Sequence, residues 1–166
     1  IKKMLISDYI SINFVDRVFD SPTSYSGFEN LMATYGYALQ IYCDFFGYST
    51  IAVGCAKVMG YNLMDNFKNP YLSKSIGEFW QRWHISLSTW FRDYVYFSLG
   101  GNRVKIHRWM INIMIIFVLS GLWHGANWTF VIWGFAHGFF YIVETMIIRM
   151  LKLRRSANET IAKIVD

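Results

Sequence analysis

Two long stretches of this sequence are almost free of charged residues. No Asp, Glu, Lys or Arg occurs in residues 109–143, and residues 30–56 contain only one, Asp44. A helix that crosses a bilayer needs roughly 20 largely apolar residues, so each stretch is long enough. The alternative is the buried core of a large soluble protein, whose helices rarely extend so far without a charge. The pattern predicts one membrane span at about 28–56 and a helical hairpin at about 109–148.

Between these stretches, apolar side chains recur at the spacing of a helix. Eight of them fall within about 60° of one line when residues are placed 100° apart: Ile76, Phe79, Trp80, Trp83, Leu87, Trp90, Phe91 and Tyr94. The pattern predicts one amphipathic helix that lies in the membrane interface. Ser75 is the expected N-cap, with Glu78 at the matching position of a capping box. His84 lies at the edge of the apolar face, so it faces either lipid headgroups or an internal cavity.

The charged residues outside the apolar stretches predict an orientation. Residues 1–29 carry three basic and four acidic side chains, residues 57–108 eight and three, and residues 149–166 five and two. The positive-inside rule therefore places 57–108 and the C-terminal tail in the cytoplasm and the N-terminal segment outside. The net charge of +5 is explained by this topology and by contact with anionic membrane lipids. No basic run suggests a nucleic-acid site.

Composition narrows the class of protein. Of the 166 residues, 54% are hydrophobic, 19% aromatic and 16% charged, whereas soluble domains carry about a quarter charged residues. The two cysteines exclude a disulfide scaffold and a four-cysteine zinc site. No spacing of His and Cys suggests a metal centre. Because the sequence starts without Met, we expect residues 1–166 to be a single partial domain from inside a longer protein.

His124 is the strongest candidate for chemistry. The first arm of the hairpin, 109–123, is about 22 Å long, shorter than the hydrocarbon core of roughly 30 Å. The glycines and Asn in 121–127 then favour a helix break. Irregular backbone at membrane depth is tolerated only inside protein or beside a watery cavity. We therefore expect His124 at a helix break facing a cavity, where a neutral imidazole can act as a base. The alternative is a structural hydrogen bond between helices.

Five further residues are weaker candidates for the site. Asn127 either orients His124 or binds a carbonyl oxygen, or it caps the following helix. His137 has a packing or supporting role about as readily as a catalytic one. Asp44, inside an apolar stretch, must be paired, protonated or beside water, and a structural bond between helices is the simpler interpretation. Arg82 and Arg92 could meet phosphates of a donor, although a solvated polar face explains both.

Several closely spaced aromatic and polar motifs extend through most of the chain. They are Gln40-Ile-Tyr-Cys-Asp-Phe-Phe-Gly-Tyr-Ser49, Asn66-Phe-Lys-Asn-Pro-Tyr71, Glu78-Phe-Trp-Gln-Arg-Trp-His-Ile-Ser-Leu-Ser-Thr-Trp-Phe-Arg-Asp-Tyr94, Leu99-Gly-Gly-Asn-Arg103, Gly121-Leu-Trp-His-Gly-Ala-Asn-Trp-Thr-Phe130 and Trp133-Gly-Phe-Ala-His-Gly138. This set resembles the signature of the membrane-bound O-acyltransferases, in particular the alginate O-acetyltransferase type. The resemblance covers residues 1 to about 146. The family often has Ser, Asp and Pro at three positions where this chain differs, namely Phe46, Thr50 and Ser98.

The resemblance implies an all-α, polytopic protein of the bacterial inner membrane, with helices in a ring around a central tunnel. It implies that His124 is the catalytic residue and that His84 is a second functional position on the cytoplasmic side. It also implies an acyl donor such as acetyl-CoA as substrate, and no bound cofactor. The partners that it implies are a secreted or periplasmic acetyltransferase-like protein and a polysaccharide-synthesis complex.

The residues and the resemblance together predict an enzyme. We expect an acyl group, most simply acetyl, to pass from a cytoplasmic thioester to a hydroxyl of an exported polysaccharide, with His124 as general base. Asn127 or His84 is expected to stabilise the oxyanion. Two other functions fit the same sequence. One is a channel subunit that carries the acyl group or its donor for a partner transferase, and the other is D-alanyl transfer to teichoic acid.

Overall fold

The computed structural model describes the backbone of residues 2–165 and the side chains of residue 3 and residues 6–152. Helices joined by turns make up this described part, which confirms the all-α fold class. The chain divides into two compact units, Ile1–Phe67 and Lys68–Asp166.

The first unit consists of an irregular helical segment packed on one long helix. The segment alternates between π and α geometry, with π-helices Lys2–Ser7 and Ser11–Val15 and α-helices α1 (Asp8–Ile10) and α2 (Asp16–Asp20). A 3₁₀ turn, Pro22–Ser24, leads to α3 (Gly27–Val58). A full capping box of Ser26 and Glu29 starts α3. The sequence analysis did not anticipate this box.

Polar side chains meet where the irregular segment packs on α3. Lys3 Nζ donates to Asp44 Oδ1. The Ser7 hydroxyl donates to the Gln40 carbonyl at 3.0 Å, and the Gln40 amide donates to Ser11 Oγ at 3.0 Å. Asp44 is therefore paired within its own unit. Its contact with Lys3 joins two helical segments, which was the simpler of the interpretations considered for it. A catalytic role for Asp44 stays a prediction without support from this geometry.

The single amphipathic helix predicted for residues 76–94 is wrong in its continuity. The structure has α4 (Ile76–Arg82), α5 (Ile85–Trp90) and a π-helix (Phe91–Tyr96). The break falls at His84, whose backbone is left-handed at φ 44° and ψ 56°. Apolar periodicity continues across the break because each piece keeps its apolar face, so the pattern alone could not locate it.

The predicted N-cap of α4 is confirmed, but the rest of the capping box differs. Ser75 Oγ accepts from the Glu78 backbone N–H at 2.9 Å. The Glu78 carboxylate, however, accepts from the Lys74 backbone N–H at 2.7 Å, one residue before the N-cap. After the π-helix the chain turns at Gly100 and Gly101, both with positive φ.

The predicted hairpin is present as α6 (Ile106–His124) and α7 (Trp128–Val165). The backbones of the two helices touch at glycines. A Cβ atom on Gly121 would collide with the Phe130 carbonyl, and one on Gly134 with the Phe117 carbonyl. Trp109, Ile113, Phe117 and Ile142 form the buried apolar cluster beside this contact. α6 starts before residue 109 and is about 28 Å long, not about 22 Å.

Among the described residues, two segments are long and apolar enough to cross a membrane by length and composition, Ile106–His124 and Trp128–Lys152. Only 28% and 17% of their apolar windows are buried, so most of this apolar surface faces outward, as lipid-facing helices require. The bounds of α3 agree with the predicted span at 28–56. Because polar residues occur along its sequence, its membrane crossing stays a prediction.

Glu144 anchors α4 to α7. Its carboxylate accepts from the backbone N–H of Ile76 at 2.9 Å and of Gly77 at 3.2 Å. These are first-turn N–H groups that have no partner inside a helix, and hydrogen bonds to a carboxylate are about twice as strong as neutral ones. The contact fixes where α4 begins and therefore where His84 lies. The sequence analysis overlooked Glu144, although it is the first charged residue after the apolar stretch 109–143.

Replacement of Gly134 by Ala is expected to destabilise the hairpin, because the added methyl must push α6 away. Overpacking of this kind costs about 1–3 kcal/mol, which thermal unfolding of the detergent-solubilised protein would detect. The control is Gly54→Ala in α3, where no heavy atom lies within 4 Å of the added Cβ. That change should be neutral or stabilise by up to about 1 kcal/mol. Equal melting temperatures for Gly134→Ala and wild type would contradict the close backbone contact.

Replacement of Glu144 by Leu is expected to release the start of α4. Loss of an acceptor for a buried N–H costs about 1–3 kcal/mol, so hydrogen exchange of the amides in 76–84 should become faster. Glu144→Gln should give an intermediate rate, since its amide oxygen still accepts. Asp65→Asn, at an exposed carboxylate before α4, is the control. Unchanged exchange in Glu144→Leu would show that the carboxylate does not hold this helix.

Candidate functional site

One face of α6 lines a cavity of about 500 Å³ within the second unit. The α6 residues that line it are separated by three or four positions, apart from one adjacent pair, and so share one side of the helix: Trp109, Ile113, Ile116, Phe117, Ser120 and His124. Trp109 and His124 are about 22 Å apart along the helix axis. α4, α5, the π-helix and α7 supply the other walls. The cavity is therefore elongated, with two ends that carry different side chains.

His124 lies at one end of this cavity as the last residue of α6. Three aromatic rings surround its imidazole, with centroid distances of 5.1 Å to Trp123, 5.2 Å to Trp133 and 6.1 Å to Phe130. The side chain is nevertheless exposed. The aromatic rings restrict the orientation of the imidazole, while its open edge can meet a reactant. The membrane depth and the catalytic role of His124 stay predictions.

His84 lines the same cavity as His124. Its ring centroid is 5.8 Å from that of Trp123, which also contacts His124. Burial, and to a smaller extent the nearby His124, lowers the pKa of His84 to about 4. His84 is thus a neutral imidazole at physiological pH, able to donate through one ring nitrogen and accept through the other. Of the two positions considered for His84, lipid headgroups or the cavity, the structure shows the cavity.

The left-handed backbone of His84 explains how its side chain reaches the cavity. A non-glycine residue in this conformation costs about 1–3 kcal/mol and persists only where the surroundings enforce it. The Ser75 cap and the Glu144 anchor fix α4 on one side of His84. α5 starts directly after it. The strain is therefore located at the residue that joins two helices and carries a candidate functional group.

His137 lies behind the cavity wall rather than in it. Its ring packs between Trp80, at 5.1 Å, and Trp133, at 4.6 Å. Trp133 contacts His124 on one side and His137 on the other. His137 is not one of the described residues that line the cavity, so the packing role considered for it describes its contacts, and any catalytic role stays a prediction.

Trp80 connects the cavity to the hairpin, and the sequence analysis assigned it only to an apolar helix face. Its ring contacts Phe117 at 5.4 Å, Trp133 at 5.9 Å and His137 at 5.1 Å. Within the described part of the chain its buried indole N–H has no hydrogen-bond partner. Trp80 therefore positions α4 against both helices of the hairpin by ring contacts alone. In the sequence, the spacing of tryptophans along a predicted helix was the signal for this packing role of Trp80.

The two predicted arginines have different surroundings. The Arg82 guanidinium binds Glu78 one turn away on α4 and is absent from the cavity lining that the structure describes. Arg92 lines the cavity, and its Nε donates to Asp93 Oδ1 at 2.7 Å. Donor binding by Arg82 therefore gains no support from the geometry. Arg92 remains a candidate, with its charge partly neutralised by Asp93.

Asn127 caps α7 and does not face the cavity in the described structure. Its Oδ1 accepts from the Thr129 backbone N–H at 3.1 Å, and its carbonyl accepts from Phe130 N at 3.1 Å. The capping interpretation of Asn127 matches these contacts. An oxyanion role would require this side chain to leave the cap, so His84 is the better-placed donor.

In the described part of the chain, no three His, Cys, Asp or Glu side chains lie close enough together to hold a metal ion. What the site does offer is two imidazoles at one end of an elongated, aromatic-walled cavity. Such an arrangement can take a proton from a hydroxyl and donate a hydrogen bond to a developing oxyanion.

Three curated proteins illustrate what this chain is similar to. Over 146 residues it is 47% identical to the probable alginate O-acetylase AlgI of Azotobacter vinelandii, covering 87% of this chain and 28% of that protein. It is 43% identical to the peptidoglycan O-acetyltransferase of Helicobacter pylori, covering 82% and 26%. It is 40% identical to the teichoic acid D-alanyltransferase of Bacillus subtilis, covering 65% and 29%. The chain thus spans under a third of the length of these relatives.

The family is shown by a match over almost the whole chain. Residues 3–164 match the sequence model of MBOAT, the membrane-bound O-acyltransferase family. This match includes both candidate membrane segments and both histidines of the cavity. The chain therefore belongs to the membrane-bound O-acyltransferase family.

Proposed function

We propose that this chain is part of an O-acetyltransferase that moves an acetyl group from a cytoplasmic thioester to a hydroxyl of an exported polysaccharide. The observation that carries the proposal is the placement of His84 and His124 at the same end of one cavity. The relatives named as O-acetylase and O-acetyltransferase are 47% and 43% identical to this chain, whereas two relatives named as D-alanyltransferase are 40% and 34% identical. Acetyl transfer is therefore favoured over D-alanyl transfer.

In the proposed reaction His124 acts as general base. Its imidazole takes the proton from the acceptor hydroxyl while the hydroxyl oxygen attacks the thioester carbonyl carbon. The carbon–sulfur bond then breaks, the acetyl group stays on the oxygen, and the thiolate leaves and accepts the proton from the imidazolium. Proton transfer by a positioned base contributes roughly 10²–10⁴-fold to such a rate. No bound cofactor takes part, and a donor such as acetyl-CoA is consumed as substrate.

His84 is proposed to stabilise the oxyanion of the same reaction. A neutral imidazole can donate one N–H to the carbonyl oxygen as negative charge develops there. A positioned donor of this kind is worth about 3–4 kcal/mol. The low pKa of His84, about 4, keeps the ring neutral at physiological pH, so it competes little for the proton that His124 must take.

The proposed setting is a multi-pass protein of the bacterial inner membrane. α6 and α7 provide two candidate spans, and the excess of basic residues in 57–108 supports a donor side in the cytoplasm. Transfer to an exported polymer calls for a secreted or periplasmic acetyltransferase-like partner and a polysaccharide-synthesis complex. Membrane lipids contact the outward apolar faces of the hairpin.

Replacement of His124 by Ala in the full-length protein is expected to lower acetyl transfer at least about 100-fold, because the base is lost. The measurement is the transfer of labelled acetyl from acetyl-CoA in membranes, normalised to protein level. His107→Ala, at an exposed histidine of the same helix, is the control and should keep the wild-type rate. Wild-type transfer by His124→Ala at normal protein level would end the catalytic assignment.

A second measurement separates the enzyme from a channel subunit. The purified wild-type protein is expected to hydrolyse acetyl-CoA slowly in the absence of partners, and His124→Ala is expected to lose this activity. A channel that only carries the acyl group for a partner transferase would show no hydrolysis in either form.

The neutral state of His84 predicts that the protein loses stability in acid. The pKa of His84 is about 4 in the folded protein and 6.5 when unperturbed. Below pH 6.5 the unfolded chain therefore binds a proton that the folded chain does not. The contribution of neutral His84 to the free energy of unfolding is fully present above pH 6.5 and is lost as the pH falls towards 4. The melting temperature of wild type should fall more steeply between pH 7 and pH 5 than that of His84→Asn.

Asn is the chosen substitute because it tolerates the left-handed backbone at this position. His107→Asn, at an exposed site, should keep the wild-type slope. If His84→Asn and wild type lost stability in parallel, the imidazole would not be held neutral by the fold.

A further inference from the structure

The end of the cavity opposite the two histidines carries a cation on an aromatic ring. Arg149 of α7 lines the cavity there, and its guanidinium carbon lies 5.2 Å from the centroid of the Trp109 ring. Tyr96 and Asn102 line the same end. Because Trp109 and His124 are separated by about 22 Å along α6, this cluster is far from the candidate base. The sequence analysis did not single out Arg149.

The ionised side chains that line this cavity are positive. Among the described residues that line the cavity, two are arginines and none is a carboxylate. Arg92 is paired with Asp93, whereas Arg149 forms no salt bridge in the described part of the chain. Arg149 is exposed, and an exposed guanidinium attracts anions strongly. The cavity therefore has one end that favours negative charge.

The neighbouring polar groups are arranged to donate rather than accept. The Tyr96 hydroxyl donates to Asn102 Oδ1 at 2.5 Å. This contact occupies the amide oxygen and leaves the Asn102 NH₂ group as a donor. The Arg149 guanidinium carbon lies over the Trp109 ring, and no salt bridge among the described residues uses its N–H groups. A guanidinium and an amide donor together match the acceptor oxygens of a phosphate group.

We propose that Arg149 and the Asn102 amide, which Tyr96 orients, form a phosphate-binding site for the far end of an elongated thioester donor. The inference rests on the proposed function, since it takes the acyl carbon to lie at His124. The length of the cavity then restricts which donors fit, because the phosphate and the reacting carbonyl of the donor must be about 22 Å apart. A phospholipid headgroup carries the same phosphate chemistry, but it need not connect to the histidine end.

The test compares two donors in the full-length protein, reconstituted in phosphatidylcholine nanodiscs. Acetyl-CoA carries phosphates, and S-acetyl-N-acetylcysteamine is an acetyl thioester without them. Arg149→Gln is expected to raise the KM for acetyl-CoA by about 10-fold or more, the range for loss of a charged hydrogen bond, with kcat nearly unchanged. Its kcat/KM for the phosphate-free thioester should equal that of wild type. Arg149→Lys should give a smaller rise, since it keeps the charge but loses the planar fork.

The control is Arg103→Gln, at an exposed arginine outside the described cavity lining, which should leave both donors unaffected. Equal losses with both donors would overturn the site, because they would mean that Arg149 only supports the fold. An effect of Arg149→Gln that appears only in nanodiscs with anionic lipid, and equally for both donors, would assign the arginine to a headgroup and also overturn it.

The outcome separates this site from the catalytic proposal. If His124→Ala abolished transfer while Arg149→Gln left both KM values unchanged, the phosphate site would fail and the proposed function would stand. If His124→Ala kept full activity, the proposed function would fail. A KM change confined to acetyl-CoA would in that case still show that Arg149 binds the phosphate end of the donor.

Discussion

The close contact between the backbones of α6 and α7 is the constraint on which the second unit depends. Gly121 and Gly134 let each helix approach a carbonyl of the other, at a distance that no Cβ atom permits. Helices in lipid gain little from burying apolar surface against each other, so such small-residue contacts are what hold them together. This contact brings Trp133 of α7 alongside the end of α6. His124 therefore acquires its aromatic surroundings from the hairpin contact itself.

The second histidine reaches the same place through a different element. α4 is tied to α7 by the Glu144 carboxylate and is packed on α6 through the contact of Trp80 with Phe117. With α4 fixed in this way, the left-handed residue His84 can redirect the chain into α5. The backbone strain at His84 is supported by contacts that lie far away in the sequence. An observed strain at a candidate functional residue, held by distant anchors, is typical of a site that must be preorganised.

The sequence could predict what depends on local pattern. The stretch without charged residues predicted the hairpin, and Ser75 as N-cap predicted the start of α4. Both features depend on residues that are close together in the sequence. The break at His84 was missed, since apolar spacing continues through one strained residue. Glu144 and Arg149 were missed because their roles come from contacts with segments that no local pattern connects to them. Glu144 and its partner Ile76 are 68 positions apart, and the cavity exists only once those segments meet.

The separation of the two ends of the cavity has an electrostatic consequence. Two unit charges about 22 Å apart interact by about 0.8 kcal/mol at an effective dielectric of 20, and screening at physiological salt weakens this further. A cation at Arg149 can therefore attract an anionic ligand without strongly changing the protonation of the imidazoles at the other end. If the guanidinium lay beside His124, charge attraction and proton transfer would interfere. In the proposed reaction, the elongated cavity along α6 would let recognition of charge and removal of a proton proceed almost independently, with the hairpin fixing the distance between them.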